Sequence, residues 1–383
     1  MKDSDFDIPV ERRHTESLKW EQYRNKDIIP LWVADMDFRS PPAVIQALSS
    51  RIEHGVFGYG AAPQALTGVV CEMLARRYNW QVEPEYIVWL PGLVCGLNVA
   101  CRSIGAEHEE VITLVPIYPP FLTAPKNSGR KLVTVPLVTA ENRWVIDFEE
   151  LEKSITPQTG LLLFCNPHNP VGRVYTRQEL DKLVSLCDKH DIIICSDEVH
   201  CDLILDTDKT HIPTASLSPE AAARTITLMA PSKTFNIPGL GCSFAVINNR
   251  KLRNRFLQAM AGIVPEVNIL GFTAAEAAYH DSWDWLAALL EYLRDNSRLV
   301  EKEIGALSDL SMHHVEATYL AWIDARRIDK IFPARFFEVF GIGLSEGKYF
   351  GYPGFVRLNF GCQRSLLQEA LLRIKRATQE NYK

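Results

Sequence analysis

The amino-acid sequence predicts an α/β protein in which a mostly parallel sheet is covered by helices on both faces and is followed by a smaller α+β region. Short apolar runs rich in β-branched residues recur between residues 86 and 247, and stretches with helical periodicity separate them. This alternation is typical of parallel sheets, because parallel strands need long crossover connections. The alternation ends after about residue 280. We therefore predict a large domain at residues 46–282 and a smaller unit made of residues 1–45 and 283–383.

Local signals place the elements of the large domain. Ser40 is predicted to cap a helix that has Pro41 in its first turn and ends before Gly55. Another helix is predicted after Gly92, and the capping box at residues 176–179 (TRQE) opens a third. The predicted strands occupy residues 86–90, 111–115, 131–135, 161–165, 192–196, 225–229 and 242–247.

The smaller unit mixes helices and strands in a different order. Residues 283–304 have the apolar periodicity of a long amphipathic helix. Strands are predicted at residues 319–323 and 356–360, with a helix at residues 328–340 between them. Residues 365–368 (SLLQ) predict the start of the terminal helix.

Composition excludes several classes of protein. The chain of 383 residues is 47% hydrophobic and 23% charged, which is ordinary for a globular protein. A net charge of −6 and the lack of a long basic run argue against a nucleic-acid partner. Residues 1–10 are acidic and no window reaches about 18 apolar residues, so we expect a cytoplasmic protein without a membrane partner. The nine cysteines, an odd number without a C-x-x-C pair, predict buried thiols rather than disulfides or a metal site.

Lys233 raises the first question of chemistry. It lies in residues 230–241 (APSKTFNIPGLG), directly after the predicted strand at residues 225–229. A lysine at a strand end is either a solvated loop charge or a nucleophile. Because most lysines are exposed, Lys233 considered alone is better explained as a solvated charge. The residues at the other strand ends are needed to distinguish the two interpretations.

Other predicted strands also end in polar or aromatic residues. Asn169 lies between two prolines after one strand, and Asp197 directly follows another. A simple turn would explain Asn169, while a helix N-cap or metal ligation with His200 would explain Asp197. Tyr118 stands in a proline-rich loop, and Gly92 opens a helix whose free N–H groups suit an anion.

One ligand would use all of these groups. A lysine can bond an aldehyde, a buried carboxylate can keep a ring nitrogen protonated, an aromatic side chain can stack on the ring, and a helix N-terminus can bind a phosphate. Ligands of open α/β sheets bind beyond the carboxyl ends of the strands, where these residues fall. The sequence therefore predicts pyridoxal 5′-phosphate as the cofactor.

Motifs along essentially the whole chain carry a family resemblance. Asn-Pro-x-Asn-Pro at residues 166–170, Ser-Asp-Glu-Val-His at 196–200, Ser232-Lys233 and Arg357 occur in an order that resembles the fold-type-I PLP-dependent aminotransferase superfamily. More narrowly, the sequence is similar to the MalY/PatB group of cystathionine β-lyases, also called C-S lyases. The motifs for this closer resemblance are RRHTESLKW at 12–20, PLWVADMDF at 30–38, VFGYG at 56–60, HIPTASLSPE at 211–220, APSKTFNIPGL at 230–240 and ATYLAWID at 317–324.

The resemblance implies a role for each matching residue. Lys233 would form the Schiff base, Asp197 would pair with the ring nitrogen, and Tyr118 would stack on the ring. Asn169 and His200 would contact the ring hydroxyl, although related aminotransferases have a tyrosine in place of the histidine. The remaining implied roles are phosphate binding by Gly92, Leu93, Val94 and Ser232, a phosphate contact by Tyr59 from a neighbouring subunit, and substrate binding by Arg357, Ala34 and Asn169.

The resemblance also implies a reaction and an assembly. The reaction is β-elimination at a sulfur-substituted amino acid, which yields a thiol, pyruvate and ammonia. An amino-acid aminotransferase is the alternative, because the same residues serve both reactions, and a lyase-like protein with a regulatory binding role is a second alternative. Cystathionine, cysteine and other S-conjugates all stay open as substrates. The implied assembly is a homodimer with shared active sites.

Overall fold

The computed structural model describes residues 6–104 and 109–380 of the chain. Its strands are β1 Ile29–Pro30, β2 Ile87–Leu90, β3 Glu110–Val115, β4 Lys131–Pro136, β5 Val138–Ala140, β6 Arg143–Val145, β7 Thr159–Cys165, β8 Ile193–Asp197, β9 Thr225–Met229, β10 Ser243–Val246, β11 Ser311–Met312, β12 Leu320–Asp324, β13 Ile342–Gly343, β14 Ser345–Glu346 and β15 Phe355–Asn359. Its helices are α1 Leu18–Glu21, α2 Pro42–Glu53, α3 Gln64–Tyr78, α4 Leu93–Ser103, α5 Pro120–Asn127, α6 Phe148–Lys153, α7 Arg177–Lys189, α8 Pro219–Arg224, α9 Pro231–Thr234, α10 Arg250–Met260, α11 Ile269–Asp281, α12 Trp283–Gly305, α13 Pro333–Val339 and α14 Arg364–Glu380.

The central sheet has seven strands in the order β2-β10-β9-β8-β7-β3-β4. β10 runs antiparallel to both of its neighbours, and the other pairs are parallel. Because β2 and β9 both oppose β10, every strand except β10 runs in one direction and ends along the same edge. The strands lie at the positions that the sequence predicts, and the mostly parallel sheet is confirmed.

Helices cover both faces of this sheet. One apolar cluster joins alternate strand residues to α4, α5 and α10, and another joins the opposite face to α6, α7 and α8. The capping box before α7 forms as predicted: the hydroxyl of Thr176 accepts from the N–H of Glu179 at 3.2 Å, and the Glu179 carboxylate accepts from the N–H of Thr176 at 2.8 Å. The sheet is thus a buried platform, and its edge is left for a ligand.

A second sheet lies in the C-terminal part of the chain. It has the antiparallel order β11-β12-β15-β14, with the long helix α12 and the terminal helix α14 nearby. β1 of the N-terminal arm pairs in parallel with β13, so the arm contacts this second unit. The α+β character agrees with the sequence, while the domain boundaries at residues 46–282 stay a prediction.

Two predicted helix starts were wrong by one residue. The N-cap of α2 is Pro41, and the hydroxyl of Ser40 instead donates to the carbonyl of Asn236 at 3.0 Å. The terminal helix begins at Arg364, so Ser365 lies inside its first turn. In both places a tertiary contact or neighbouring turn decides where the helix begins, which a local motif does not encode.

The predicted helix at residues 328–340 was too long. α13 begins at Pro333, because the carboxylate of Asp329 accepts from the N–H groups of Ile331 and Phe332 at 2.7 and 2.9 Å and forms a turn instead. The structure also adds helices α3, α10 and α11, which the sequence pattern did not identify.

The cysteines are all free thiols, and seven of the nine are buried. Within residues 6–104 and 109–380, no helix combines the length and apolar character needed to cross a membrane. In the same ranges, no cluster of three or more His, Cys, Asp or Glu side chains is arranged to hold a metal ion.

Candidate active site

A cavity of about 1080 Å³ opens at the edge of the central sheet where the parallel strands end. Its walls come from the loops after these strands, from the N-terminal arm, and from the second unit around α13 and β15. Among the residues singled out from the sequence, Tyr59 alone does not line it. The cavity brings together Ala34, Gly92, Leu93, Val94, Tyr118, Asn169, Asp197, His200, Ser232, Lys233 and Arg357.

Lys233 lies in α9, the single helical turn that follows β9. Its Nζ donates a hydrogen bond of 2.5 Å to the carbonyl of Ala34. Burial lowers the pKa of Lys233 to about 8, and the neighbouring carboxylate of Asp35 partly opposes this shift. An amine with such a pKa is partly neutral near neutral pH, so it can serve as a nucleophile or a base. The side chain is half-buried and hydrogen-bonded in the cavity, which argues against a solvated loop charge.

Asp197 is the last residue of β8, and its side chain is buried. Its carboxylate accepts from the N–H of Val199 at 3.2 Å, and among the described residues no cation lies within ion-pair distance. Burial raises the pKa of Asp197 to about 7. A turn rather than a helix follows, so Asp197 is not a helix N-cap. A buried carboxylate in this state fits a ligand that supplies a positive group.

His200 lies beside Asp197 and is also buried. Its Nδ1 has no hydrogen-bond partner in the part of the chain that the structure describes. Burial lowers the pKa of His200 to about 3, so the imidazole is neutral. A neutral imidazole has one N–H donor and one acceptor nitrogen, so it can form a hydrogen bond with a ligand.

Arg357 on β15 contacts Asn169 in the wall of the cavity. One Nη donates to the side-chain oxygen of Asn169 at 3.1 Å, and the other donates to the carbonyl of Trp32 at 2.8 Å. Its Nε is buried without a partner among the described residues, and burial lowers the pKa of Arg357 to about 10. The side chain is thus a fixed guanidinium that still has a donor to offer, which suits a carboxylate.

The N-terminus of α4 forms another wall of the cavity. The first N–H groups of a helix have no partners within it, and α4 begins directly after Gly92. A side chain on Gly92 would meet nothing within 4 Å, so this backbone faces open space. With Leu93, Val94 and the hydroxyl of Ser232 lining the same cavity, this end suits a phosphate. Tyr118 lies between β3 and α5, and burial raises the pKa of its phenol.

Tyr59 lies apart from the other residues. Its side chain is fully exposed, with Val56 61% and Phe57 58% exposed in the same segment. It lines a separate groove of about 670 Å³ beside α2 and α11. Within one chain, the structure therefore does not bring Tyr59 to the cavity.

The sequence motif at residues 30–38 and Ala34 were identified, but the sequence did not predict that this segment closes the cavity opposite the sheet. We call residues 32–38 (WVADMDF) the strap; they form neither helix nor strand. The Ala34 carbonyl accepts from Tyr319 at 2.9 Å as well as from Lys233, and the Trp32 carbonyl accepts from Ser345 at 2.7 Å. The polar residues in an otherwise apolar strap were the available signal.

Comparison with known proteins identifies the family. A profile described as "Aminotransferase class I and II" matches residues 26–374, a range that contains every residue of the cavity named above. The chain belongs to the aminotransferase class I and II family. The fold-type-I resemblance and its α/β architecture are thereby confirmed.

Members of the aminotransferase class I and II family match over nearly the full chain. Cystathionine beta-lyase PatB of Bacillus subtilis (strain 168) is 38% identical over 97% of this chain and 99% of its own. A crystal structure of OvoB is 48% identical with a TM-score of 0.96, and the match covers 97% of this chain and 98% of that one. Cystalysin from Treponema denticola, whose crystal structure contains a pyridoxal 5′-phosphate cofactor, is 33% identical with a TM-score of 0.93 over 98% and 99% of the two chains.

Proposed function

We propose that this chain is a pyridoxal 5′-phosphate-dependent carbon–sulfur lyase of the cystathionine β-lyase type. It cleaves a sulfur-substituted amino acid by β-elimination and yields a thiol, pyruvate and ammonia. The observation that carries the proposal is one cavity with a half-buried amine at Lys233, a buried carboxylate at Asp197 and a guanidinium at Arg357. Within the described part of the chain, no cation pairs with Asp197 and the Nε of Arg357 has no hydrogen-bond partner. The relative named cystathionine beta-lyase supports this reaction class over others in the family.

The residues of the cavity fit the cofactor. Among the cavity residues named above, two buried nitrogens lack a hydrogen-bond partner in the described part of the chain, the Nδ1 of His200 and the Nε of Arg357, and the backbone at Gly92 borders open space. The groups that would hold pyridoxal 5′-phosphate are the amine of Lys233 at its aldehyde carbon, Asp197 at its ring nitrogen, Asn169 and His200 at its hydroxyl, Tyr118 on its ring, and Gly92, Leu93, Val94 and Ser232 at its phosphate. When bound, it draws electrons from the Cα–H bond of an attached amino acid, which makes that proton removable.

The chain's own residues bind the substrate and move its proton. Arg357 binds the substrate carboxylate through its guanidinium N–H groups, and Asn169 fixes the plane of the guanidinium. Lys233 accepts the Cα proton as a neutral amine, which a pKa of about 8 makes accessible. Burial raises the pKa of Asp197 to about 7, and a cation that faces the carboxylate lowers this pKa again. Asp197 therefore stays ionised when such a cation is bound.

A product assay on L-cystathionine tests the proposal. The purified enzyme, with cofactor but without a keto acid, should release pyruvate and a free thiol in equal amounts. Turnover that requires an added keto acid, with no thiol released, would assign an aminotransferase instead. A Lys233→Ala variant serves as the control, because any background elimination by free cofactor persists in it.

The assembly is a further part of the proposal. We infer a homodimer in which Tyr59 of one subunit reaches the phosphate end of the other subunit's cavity. The exposure of Val56, Phe57 and Tyr59 in one segment supports this, because a soluble protein rarely leaves such an apolar surface uncovered. The free thiols suit a reducing compartment, so we place the dimer in the cytoplasm.

Subunit exchange tests the shared site. Tyr59→Ala and Lys233→Ala homodimers should each have little activity. After mixing, each heterodimer contains one site with both defects and one with neither, so part of the activity should return. If mass spectrometry shows exchange and no activity returns, the sites are not shared.

A further inference from the structure

The strap is held by side chains from distant parts of the chain. Each of its carbonyl oxygens from Trp32 to Phe38 accepts at least one hydrogen bond from such a side chain. Arg357 and Ser345 donate to the carbonyl of Trp32, Asn359 to that of Val33, and Lys233 and Tyr319 to that of Ala34. Lys19 and Asn359 donate to the carbonyl of Asp35, Arg12 and Asn236 to that of Met36, Gln363 to that of Asp37, and Asn236 to that of Phe38. An irregular segment satisfied in this way is a fixed structural part of the cavity.

Asp35 is the charged residue of the strap that neighbours Ala34. Its Oδ2 accepts from Arg12 at 2.7 Å, and its Oδ1 is buried, has no hydrogen-bond partner among the described residues and lies 3.9 Å from the Nζ of Lys19. Asp37 belongs to the same ion cluster and contacts both Arg12 and Lys19 at 2.7 Å. The Oδ1 of Asp35 therefore has no hydrogen-bond donor among the described residues, and Lys19, the cation that faces it, is shared with Asp37.

Asp35 directly follows Ala34 in the chain, and the Ala34 carbonyl contacts the active-site amine. Lys233 and Tyr319 both donate to that one oxygen. The charge of Asp35 acts on both donors. Burial raises the pKa of Tyr319 and Asp35 adds to that increase, whereas Asp35 opposes the burial that lowers the pKa of Lys233 to about 8.

Other charged groups also face Lys233. Arg357 favours the neutral amine and Asp197 favours the ammonium, while His200 is neutral. Asp197 is assigned to the cofactor's ring nitrogen, and Arg357 to the substrate carboxylate. Of the charged groups that act on Lys233, Asp35 is thus the one without an assigned contact to the cofactor or the substrate.

We propose that Asp35 is a positioning residue that favours the ammonium form of Lys233 and holds it on the Ala34 carbonyl, and that Arg12 of the arm limits this effect by pairing with Asp35. The proposal rests on the assigned role of Lys233 as the active-site base. The N-terminal arm would then influence the protonation of Lys233, because pairing of Arg12 with Asp35 weakens the electrostatic effect of Asp35 on the amine.

Competitive acetylation of the cofactor-free protein tests this proposal without turnover. Only a neutral amine reacts, so the pH midpoint of labelling at Lys233, read by peptide mass spectrometry, reports its proton affinity. The midpoint should lie at about 8 in the unmodified protein and fall by roughly half a unit or more in Asp35→Asn. In Arg12→Gln it should rise, because Asp35 keeps its charge and loses its partner.

Asp37→Asn is the matched control, because it removes a carboxylate from the same ion cluster but not the one beside Ala34. A midpoint that stays fixed or rises in Asp35→Asn, or that falls equally in Asp37→Asn, overturns the proposal. Should Asp35→Asn fail to fold, Arg12→Gln decides alone: a rise supports the proposal and no rise overturns it. A negative lyase assay would leave this labelling result intact, so the two failures are distinguishable.

Discussion

The two walls of the cavity are built in different ways. On the sheet side, Asp197 is the end of a strand, Lys233 follows a strand within one helical turn, and Gly92 caps the helix after a third. On the opposite side, the strap has no regular structure and depends on side chains far along the chain, such as Asn359, which donates to the carbonyls of Val33 and Asp35. The sheet wall inherits its geometry from local backbone, whereas the strap wall exists only after the chain has closed on itself.

The two walls also have different tasks in the proposed mechanism. The sheet wall supplies the groups proposed to hold the cofactor, and strand ends suit that task because they are rigid. The strap wall supplies the backbone oxygen that holds Lys233 and a contact for Arg357. Substitutions on the sheet wall should therefore abolish turnover, and those on the strap wall should alter binding and proton affinity.

The largest effect is expected for Lys233→Ala, where the two walls meet. Loss of the amine should reduce kcat by roughly 1000-fold or more, because the base and the covalent anchor disappear together. Borohydride reduction of the cofactor-loaded enzyme, followed by peptide mass spectrometry, checks the anchor directly. Fixation of the cofactor on a different lysine would contradict the assignment.

Asp197→Asn tests the sheet wall by itself. Activity should fall by roughly 100-fold or more, since a neutral amide cannot stabilise a protonated ring nitrogen. Near-normal turnover with full cofactor occupancy would remove Asp197 from the proposed mechanism.

The same variant has an opposite effect on the cofactor-free protein. Folding raises the pKa of Asp197 from its ordinary value of 3.8 to about 7, so the folded state holds the proton longer than the unfolded state. This carboxyl therefore costs stability as the pH rises from below 4 to above 7. Denaturant unfolding at pH 8 should show Asp197→Asn more stable than the unmodified protein by on the order of 1–3 kcal/mol, with the difference vanishing near pH 4.

Arg357→Lys probes the residue that spans both walls. An ammonium cannot make the paired hydrogen bonds of a guanidinium, so KM should rise by roughly 10- to 100-fold with a smaller change in kcat. Arg364→Lys is the matched control. Arg357 lies over the ring of Phe350 and Arg364 lies over the ring of Tyr292, but Arg364 is outside the cavity. Equal kinetic effects of the two changes would contradict a carboxylate-binding role.

The smallest effect is expected for Asn359→Ala, which removes two hydrogen bonds to the strap and one from the N–H of Gly361. Loss of its hydrogen bonds to the strap should lower the free energy of unfolding by about 1–3 kcal/mol and raise KM less than tenfold. Thr176→Ala removes the capping box of α7 and should cost about 1 kcal/mol without changing KM. If both variants change KM alike, the strap has no specific part in binding.

Much of the sheet wall was predictable from the sequence. The strands, the capping box of α7, and the placement of Asp197, Asn169 and Lys233 at or just after strand ends were all identified, because apolar runs and their end residues are adjacent in the chain. The start of α13 was not, since the turn at Asp329 competes with helix formation there.

The sequence by itself determined which residue types stand at the sheet edge, because strand periodicity and backbone termination act over a few neighbouring residues. Only the tertiary structure decided that Arg357 contacts Asn169, 188 positions away, and that Asp35 lies beside the oxygen that holds Lys233. Such contacts depend on how the arm, the sheet and the second unit close around one another. Local patterns carry no information about this closure, since the free energy that orders the strap comes from hydrogen bonds between residues distant in the chain.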